Sequence, residues 1–263
     1  MMTMWQWWPS AGAWIVLGLL MPSLWGCEQS SSDLSPSSSS QAPHDGIGQR
    51  LGTDVTAQPG LAREPAREAL PKIVAFGNSL TAGAGVPADE SYPSQLQRRL
   101  DQSGYRYRVI NAGVSGDTTA GGLRRVDWIL KSRPQIVILE LGGNDGLRGL
   151  PLDQMYDNLQ TIIQRVHAAG AQVVLAGMKL PLNYGEEYRA AFEAVYARLA
   201  QAHQVTLMPF FLEGVGAQVT LNHADGIHPT GEGYRVIVEQ LWPVLKPLLR
   251  NASQAASDES MVK

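Results

Sequence analysis

Residue types that together support acyl transfer recur along this chain. A serine lies in Gly77-Asn78-Ser79-Leu80, and an acid and an imidazole stand three residues apart in Asp225-Gly226-Ile227-His228-Pro229. A serine hydroxyl is a poor nucleophile at neutral pH and needs a base in hydrogen-bond reach, itself held by a third group. The Asp225–His228 spacing lets the carboxylate orient the ring through Nδ1 while Nε2 faces Ser79. A tetrahedral intermediate also needs donors aimed at its oxyanion. The backbone N–H groups of Ser79 and Gly113 and the side-chain amide of Asn144 are the candidates; Gly113 qualifies because a glycine lets the backbone approach a substrate closely.

These residues can act together only if the fold converges them. Five short runs read as strands: Ile73–Phe76, Arg108–Ile110, Ile136–Leu139, Val173–Leu175 and Val205–Leu207. Most are continuously apolar, the pattern of strands buried on both faces. Between and after them lie helical segments at Tyr92–Gln102, Thr118–Lys131, Asp153–Ala169, Tyr188–His203 and Gly231–Leu249. In the third, Met155, Leu159, Ile162, Ile163 and Val166 form one apolar stripe. The alternation predicts an open, five-stranded parallel sheet with helices on both faces. In such α/β folds ligands bind outside the carboxyl ends of the strands. Gly77-Asn78-Ser79, Asn111-Ala112-Gly113 and Gly142-Gly143-Asn144-Asp145 each follow a strand, so they and the Asp225–His228 segment are expected to meet at one sheet edge.

With these blocks in order, residues 72–250 resemble the SGNH (GDSL-type) hydrolases, and most closely the bacterial arylesterase, acyl-thioesterase and lysophospholipase branch. Gly116-Asp117-Thr118-Thr119, Leu139-Glu140-Leu141-Gly142-Gly143-Asn144-Asp145-Gly146, Asn183-Tyr184-Gly185 and Pro209-Phe210-Phe211 also look like that branch. The resemblance implies a flavodoxin-like three-layer sandwich, Ser79, Asp225 and His228 as catalytic residues, and an oxyanion hole of Ser79, Gly113 and Asn144. It also implies no cofactor and no metal. The substrates implied are aryl or short- to medium-chain esters, with acyl thioesters and lysophospholipids within range. Asn78, Leu80, Asp145, Pro181 and Tyr184 are the candidate substrate-binding residues. The alternatives are a carbohydrate or peptidoglycan O-acetylesterase, or an envelope lipoprotein that keeps the fold without the chemistry. Two residues depart from the family pattern: Asn78 where an aspartate is usual, and Leu182 where a second proline often precedes Asn183-Tyr184-Gly185.

Other motifs support blander readings. Asp117 and Asp145 read as loop-ordering residues, and Glu140 as a structural hydrogen-bond partner. His223 and Asp225 do not make a metal site, because the remaining histidines are scattered. Gly83-Ala84-Gly85 lacks the Lys-Ser/Thr ending of a phosphate loop.

The ends of the chain carry a different message. No charged side chain occurs before Cys27, and an apolar run from Ala11 to Met21 leads into Leu24-Trp25-Gly26-Cys27. This reads as a secretory signal, residues 1–27, resembling the bacterial lipoprotein type with Cys27 as the lipidated residue. Trp25 and the lack of a Lys or Arg before the apolar run depart from that type. Ser30–Ser40 contains eight serines in eleven residues, so residues 28–70 are expected to be a linker, residues 71–250 the hydrolase domain, and residues 251–263 a polar tail. The protein is expected in the bacterial periplasm, membrane-attached through Cys27, as a monomer. Twenty-one Lys+Arg against 24 Asp+Glu give a net charge of -3, leaving no basic excess for nucleic acid. A single cysteine precludes an intramolecular disulfide.

Overall fold

A computed structural model describes residues 70–250. The expected signal, Cys27 and the tail, with all of the linker but its last residue, lie outside the described residues. The strands are β1 (Lys72–Gly77), β2 (Arg108–Gly113), β3 (Ile136–Glu140), β4 (Gln172–Ala176) and β5 (Thr206–Met208), all parallel in the order β2-β1-β3-β4-β5. The chain builds outward from β1 to β2, then crosses back to add β3, β4 and β5 on the other side. The reversal falls beside β1, where doubly wound sheets place their ligand crevice. This is the flavodoxin-like architecture expected, with helices on both faces.

Burial follows the sequence pattern. Ile73, Val74, Ala75 and Phe76 of β1 and the whole of β3 are sealed from solvent, whereas β2, at the edge, is half-exposed. The longer helices are α2 (Tyr92–Gln102), α3 (Thr119–Leu130), α5 (Leu152–Ala168), α6 (Glu186–His203) and α7 (Gly231–Leu245). Helix α3 packs on α5 and α5 on α6, while α2 packs on α7. The stripe from Met155 to Val166 is buried as read. Thr118 and Thr230 cap α3 and α7 by accepting the N–H groups of Gly121 and Gly233.

Several boundaries differ from the sequence reading. Strand β2 runs three residues further, through Asn111-Ala112-Gly113, because the register with β1 continues to Gly77–Gly113. Strand β5 lies one residue later than expected, and α7 gives way at Leu245 to a 3-10 turn, Lys246–Leu248. Two short helices, α1 (Ser79–Ala82) and α4 (Gly143–Leu147), stand where only turns were expected. They open two of the site's segments.

Candidate active site

The chain leaves β1 at Gly77 and turns at once into α1. Asn78 caps that helix, its Oδ1 accepting the N–H of Leu80 at 2.9 Å, so Ser79 occupies the first helical position, half-buried at the sheet's carboxyl edge. Ser79 Oγ lies 2.8 Å from His228 Nε2, and His228 Nδ1 lies 2.7 Å from Asp225 Oδ2. The expected serine, imidazole and carboxylate thus form one unbroken hydrogen-bonded chain.

The acid and base come from a closed hairpin. Residues Asn222 and Pro229 form an antiparallel bridge, with His223 N–H donating to His228 O and Thr230 N–H to Leu221 O. Asn222 pins the hairpin to the preceding loop by donating Nδ2 to the carbonyls of Val215 and Gln218. Asp225 Oδ1 also accepts the backbone N–H groups of Ile227 and His228. Those hydrogen bonds from His228 and Ile227 hold its carboxyl well below the usual carboxylate range, so it stays charged. The contribution of His223 is a backbone one; among the described residues no cluster of His, Cys, Asp or Glu could hold a metal ion.

The oxyanion side requires a correction. The Gly113 N–H donates to Asn111 Oδ1 at 2.9 Å, and a Cβ at Gly113 would run into the backbone of Thr81 and Ala82. Glycine is needed there so that β2 can touch α1, and its N–H is spent within the strand end. The following turn, Val114 to Asp117, is closed by Asp117 N–H to Val114 O, with Gly116 at φ +80 in its third position. In such a turn the third residue's N–H does not enter the closing bond, and the positive φ favours glycine. Asn144, on α4, donates Nδ2 to Asp117 O at 2.8 Å, which brings this turn beside the Asn144 amide. The only signal of this position in the sequence is a glycine between Ser115 and Asp117, residue types that favour a tight turn.

Arg125 is a second residue missed in the sequence. From α3 it donates Nε to Asp117 Oδ2 at 2.7 Å, and its two terminal nitrogens to Ala112 O and Gly77 O at 2.7 and 2.8 Å. Its guanidinium also covers the Phe76 ring at 4.4 Å. One planar, five-donor group clasps the ends of β1 and β2 to the Gly116 turn. No motif announces it, since its partners are two carbonyls and an acid eight residues away.

Of the expected substrate contacts, three are internal. Leu80 is 3% exposed and belongs to the core. Asn78, also 3% exposed, spends its amide on Glu140 and on its own cap. Asp145 accepts both the N–H and the hydroxyl of Thr119, tying α4 to the start of α3; burial raises its pKa against those bonds. Pro181 is exposed and Tyr184 half-buried on the loop after β4, where Tyr184 donates its hydroxyl to Leu147 O. Of the large exposed apolar side chains, Val114 and Leu182 sit on the loops after β2 and β4 and Val219 and Ile227 on the long loop after β5, whereas Leu150 lies between α4 and α5 and Trp128 on α3.

Below Ser79 lies Glu140, 0% exposed at the end of β3. Its Oε1 accepts Asn78 Nδ2 at 2.9 Å; its Oε2 accepts the Thr81 hydroxyl at 2.8 Å and the Asn78 N–H at 3.2 Å. Burial pushes its carboxyl up to about 7, although all these donors pull the other way.

This combination of sheet, serine, hairpin dyad and amide is suited to ester hydrolysis, and comparison with known proteins places it. The GDSL-like Lipase/Acylhydrolase family matches residues 75–236, and the chain belongs to that family. It is 46% identical over 178 residues to the esterase TesA of Pseudomonas aeruginosa, covering 67% of this chain and 89% of that one. It is 39% identical over 182 residues to thioesterase 1/protease 1/lysophospholipase L1 of Escherichia coli, covering 69% and 86%. A crystal structure of TesA superposes with a TM-score of 0.66 at 45% identity, covering 68% of this chain and 99% of that one. The chain is an ester hydrolase.

Proposed function

We propose that the protein is an exported, membrane-tethered serine esterase working through an acyl-enzyme. Ser79 Oγ attacks the acyl carbonyl carbon while His228 Nε2 takes the hydroxyl proton. The carbonyl π-electrons move onto the oxygen, which is held by the N–H groups of Ser79 and Gly116 and by the second N–H of the Asn144 amide. Collapse expels the alcohol or thiol, which leaves with the proton from His228. Water then attacks the acyl-Ser79 as His228 takes one of its protons, and His228 returns that proton to Ser79 Oγ as the carbon–oxygen bond breaks and the carboxylic acid leaves. Asp225 holds the imidazole tautomer and stabilises its charged form. The observation that carries this reading is the Asp225–His228–Ser79 chain at 2.7 and 2.8 Å.

The exposed apolar residues around the strand ends, with Pro181 and Tyr184, support medium-chain acyl groups as substrates, including thioesters and lysophospholipids. Turnover of p-nitrophenyl esters from acetate to dodecanoate by the full chain tests this. The expected profile rises beyond acetate and is lost in Ser79→Ala; an acetate-only profile would restrict the enzyme to acetyl esters. For the address, metabolic labelling with a radioactive fatty acid is expected on the parent and not on Cys27→Ser. None of the described helices is long and apolar enough to cross a membrane; the lipoprotein-like Leu24-Trp25-Gly26-Cys27 run supports attachment through Cys27. We read the enzyme as a periplasmic monomer.

A further inference from the structure

The departure at position 78 and the buried Glu140 belong to one device. We propose that Glu140 is the positioning residue of the nucleophile turn, acting as an ionised acceptor of hydrogen bonds from Asn78 and Thr81, and that Asn78 makes this possible by supplying a permanent N–H where an acid would need a proton. This rests on Ser79 being the nucleophile.

The geometry assigns every partner. Three donors from residues 78–81 converge on one carboxylate, two on Oε2 and one on Oε1, and they bracket Ser79 on both sides. Gly77 has no room for a side chain because the Thr81 hydroxyl and the Glu140 carboxylate close over its α-carbon. The turn is therefore seated directly on the end of β3, with no slack between them. The other titratable groups facing Glu140 are phenols: Tyr92 on α2, Tyr196 on α6 and Tyr234 on α7. Burial raises all three, so they stay neutral over the working range, and Tyr92 lies 3.5 Å from the Thr81 hydroxyl. Asp225 and Asp145, which act on Tyr234 and Tyr196 respectively, are held by the hairpin and by Thr119. A proton arriving on Glu140 meets two Asn78 N–H groups that can only donate and a Thr81 hydroxyl that must reverse its own bond to accept it, so either way the set of donors that seats the turn is broken. With its carboxyl raised to about 7, that happens close to where imidazoles titrate. Activity in mild acid then needs two groups unprotonated, His228 as base and Glu140 as anchor. An aspartate in place of Asn78 would instead set two carboxyls against each other, and such a pair holds one proton between them.

The test is the pH dependence of kcat/KM for a soluble aryl ester, measured on the full chain and on Glu140→Gln and Asn78→Asp. For the parent, log(kcat/KM) is expected to fall on the acid side with a slope approaching two, because loss of the Glu140 carboxylate adds to loss of the free base. Glu140→Gln is expected to fall with slope one and to lose at least about tenfold on the plateau, because an amide meets an amide. Asn78→Asp is expected to gain an alkaline decline absent from the parent, as its carboxyl pair surrenders the shared proton. A parent slope of one, unchanged in Glu140→Gln, would overturn the role of Glu140. If circular dichroism shows that Glu140→Gln does not fold, Asn78→Asp decides: a profile parallel to the parent's overturns the proposal, and an alkaline decline supports it. A fluorophosphonate label run alongside separates the two readings. Labelling that survives Ser79→Ala overturns the serine mechanism itself, whereas Ser79-dependent labelling with a slope of one overturns only the anchor.

Discussion

The proposed nucleophile and its proposed base are held in opposite ways. Ser79 rides on a four-residue helix whose cap, hydroxyl and backbone are all bonded to a carboxylate at the end of the neighbouring strand, 62 residues away for Asn78. His228 rides on a hairpin that closes on itself within ten residues, and its acid partner is half-exposed, with 47% of the side chain open to solvent. The serine's position is thus a property of the sheet, and the dyad's alignment a property of a local sequence. Damage to the first should propagate into stability, while damage to the second should stay chemical.

The sharpest test of that contrast is the largest effect. Ser79→Ala and His228→Ala should each lower kcat by on the order of 10⁶-fold, and the double variant should be no worse, because the two act as one unit. Additive losses in single-turnover assays would break the pairing. Asp225→Asn is expected to cost about 10⁴-fold by presenting the wrong tautomer, while thermal unfolding moves less than in Arg125→Ala, because the amide oxygen can still accept the N–H groups of Ile227 and His228. Asn144→Ala should cost roughly 100- to 1,000-fold in kcat with KM little changed. Arg125→Ala crosses from chemistry into structure: three hydrogen bonds are lost, to Asp117, Ala112 O and Gly77 O, so a fall of about 2 kcal/mol in urea-measured stability is expected, with kcat down by about tenfold.

The smallest effect concerns pH. The Asp225 carboxyl is depressed by its bonds from His228 and Ile227, so its contribution to the hairpin is complete above the ordinary carboxylate range and fades as pH falls towards the depressed value. Glu140 works in the opposite sense. Its raised carboxyl means that the folded chain binds the extra proton between its ordinary value and about 7, and stability declines as pH rises through that window. Hydrogen exchange on the amides of Ile227 and His228 should therefore accelerate only in strong acid. Global stability measured at pH 5 should exceed that at pH 8 by more in the parent than in Glu140→Gln.

The sequence exposed one half of this contrast more fully than the other. Continuous apolar runs such as Ile136–Leu139 disclose buried strands, and Asp225 and His228 can be paired because their contact is three residues long. Where β2 ends cannot be read, since Asn111-Ala112-Gly113 carries no β-branched residue and joins the sheet only through its register with β1. Placing Gly113 in the oxyanion hole followed from ending that strand too early. Helices α1 and α4 are too short for any periodicity and form because tertiary partners hold their caps and glycines. Glu140 shows as an acid at a strand end, but its three donors come from a turn that meets it only in the folded sheet. The clasp of Arg125 on two carbonyls has no sequence signature at all.

The closed hairpin has a further consequence. Because carboxylate and imidazole share one closed segment, their mutual bond is fixed within it, and the segment meets the nucleophile through a single catalytic distance, the 2.8 Å from His228 Nε2 to Ser79 Oγ; the ties of Asn222 to Val215 and Gln218 therefore set that distance from outside the site.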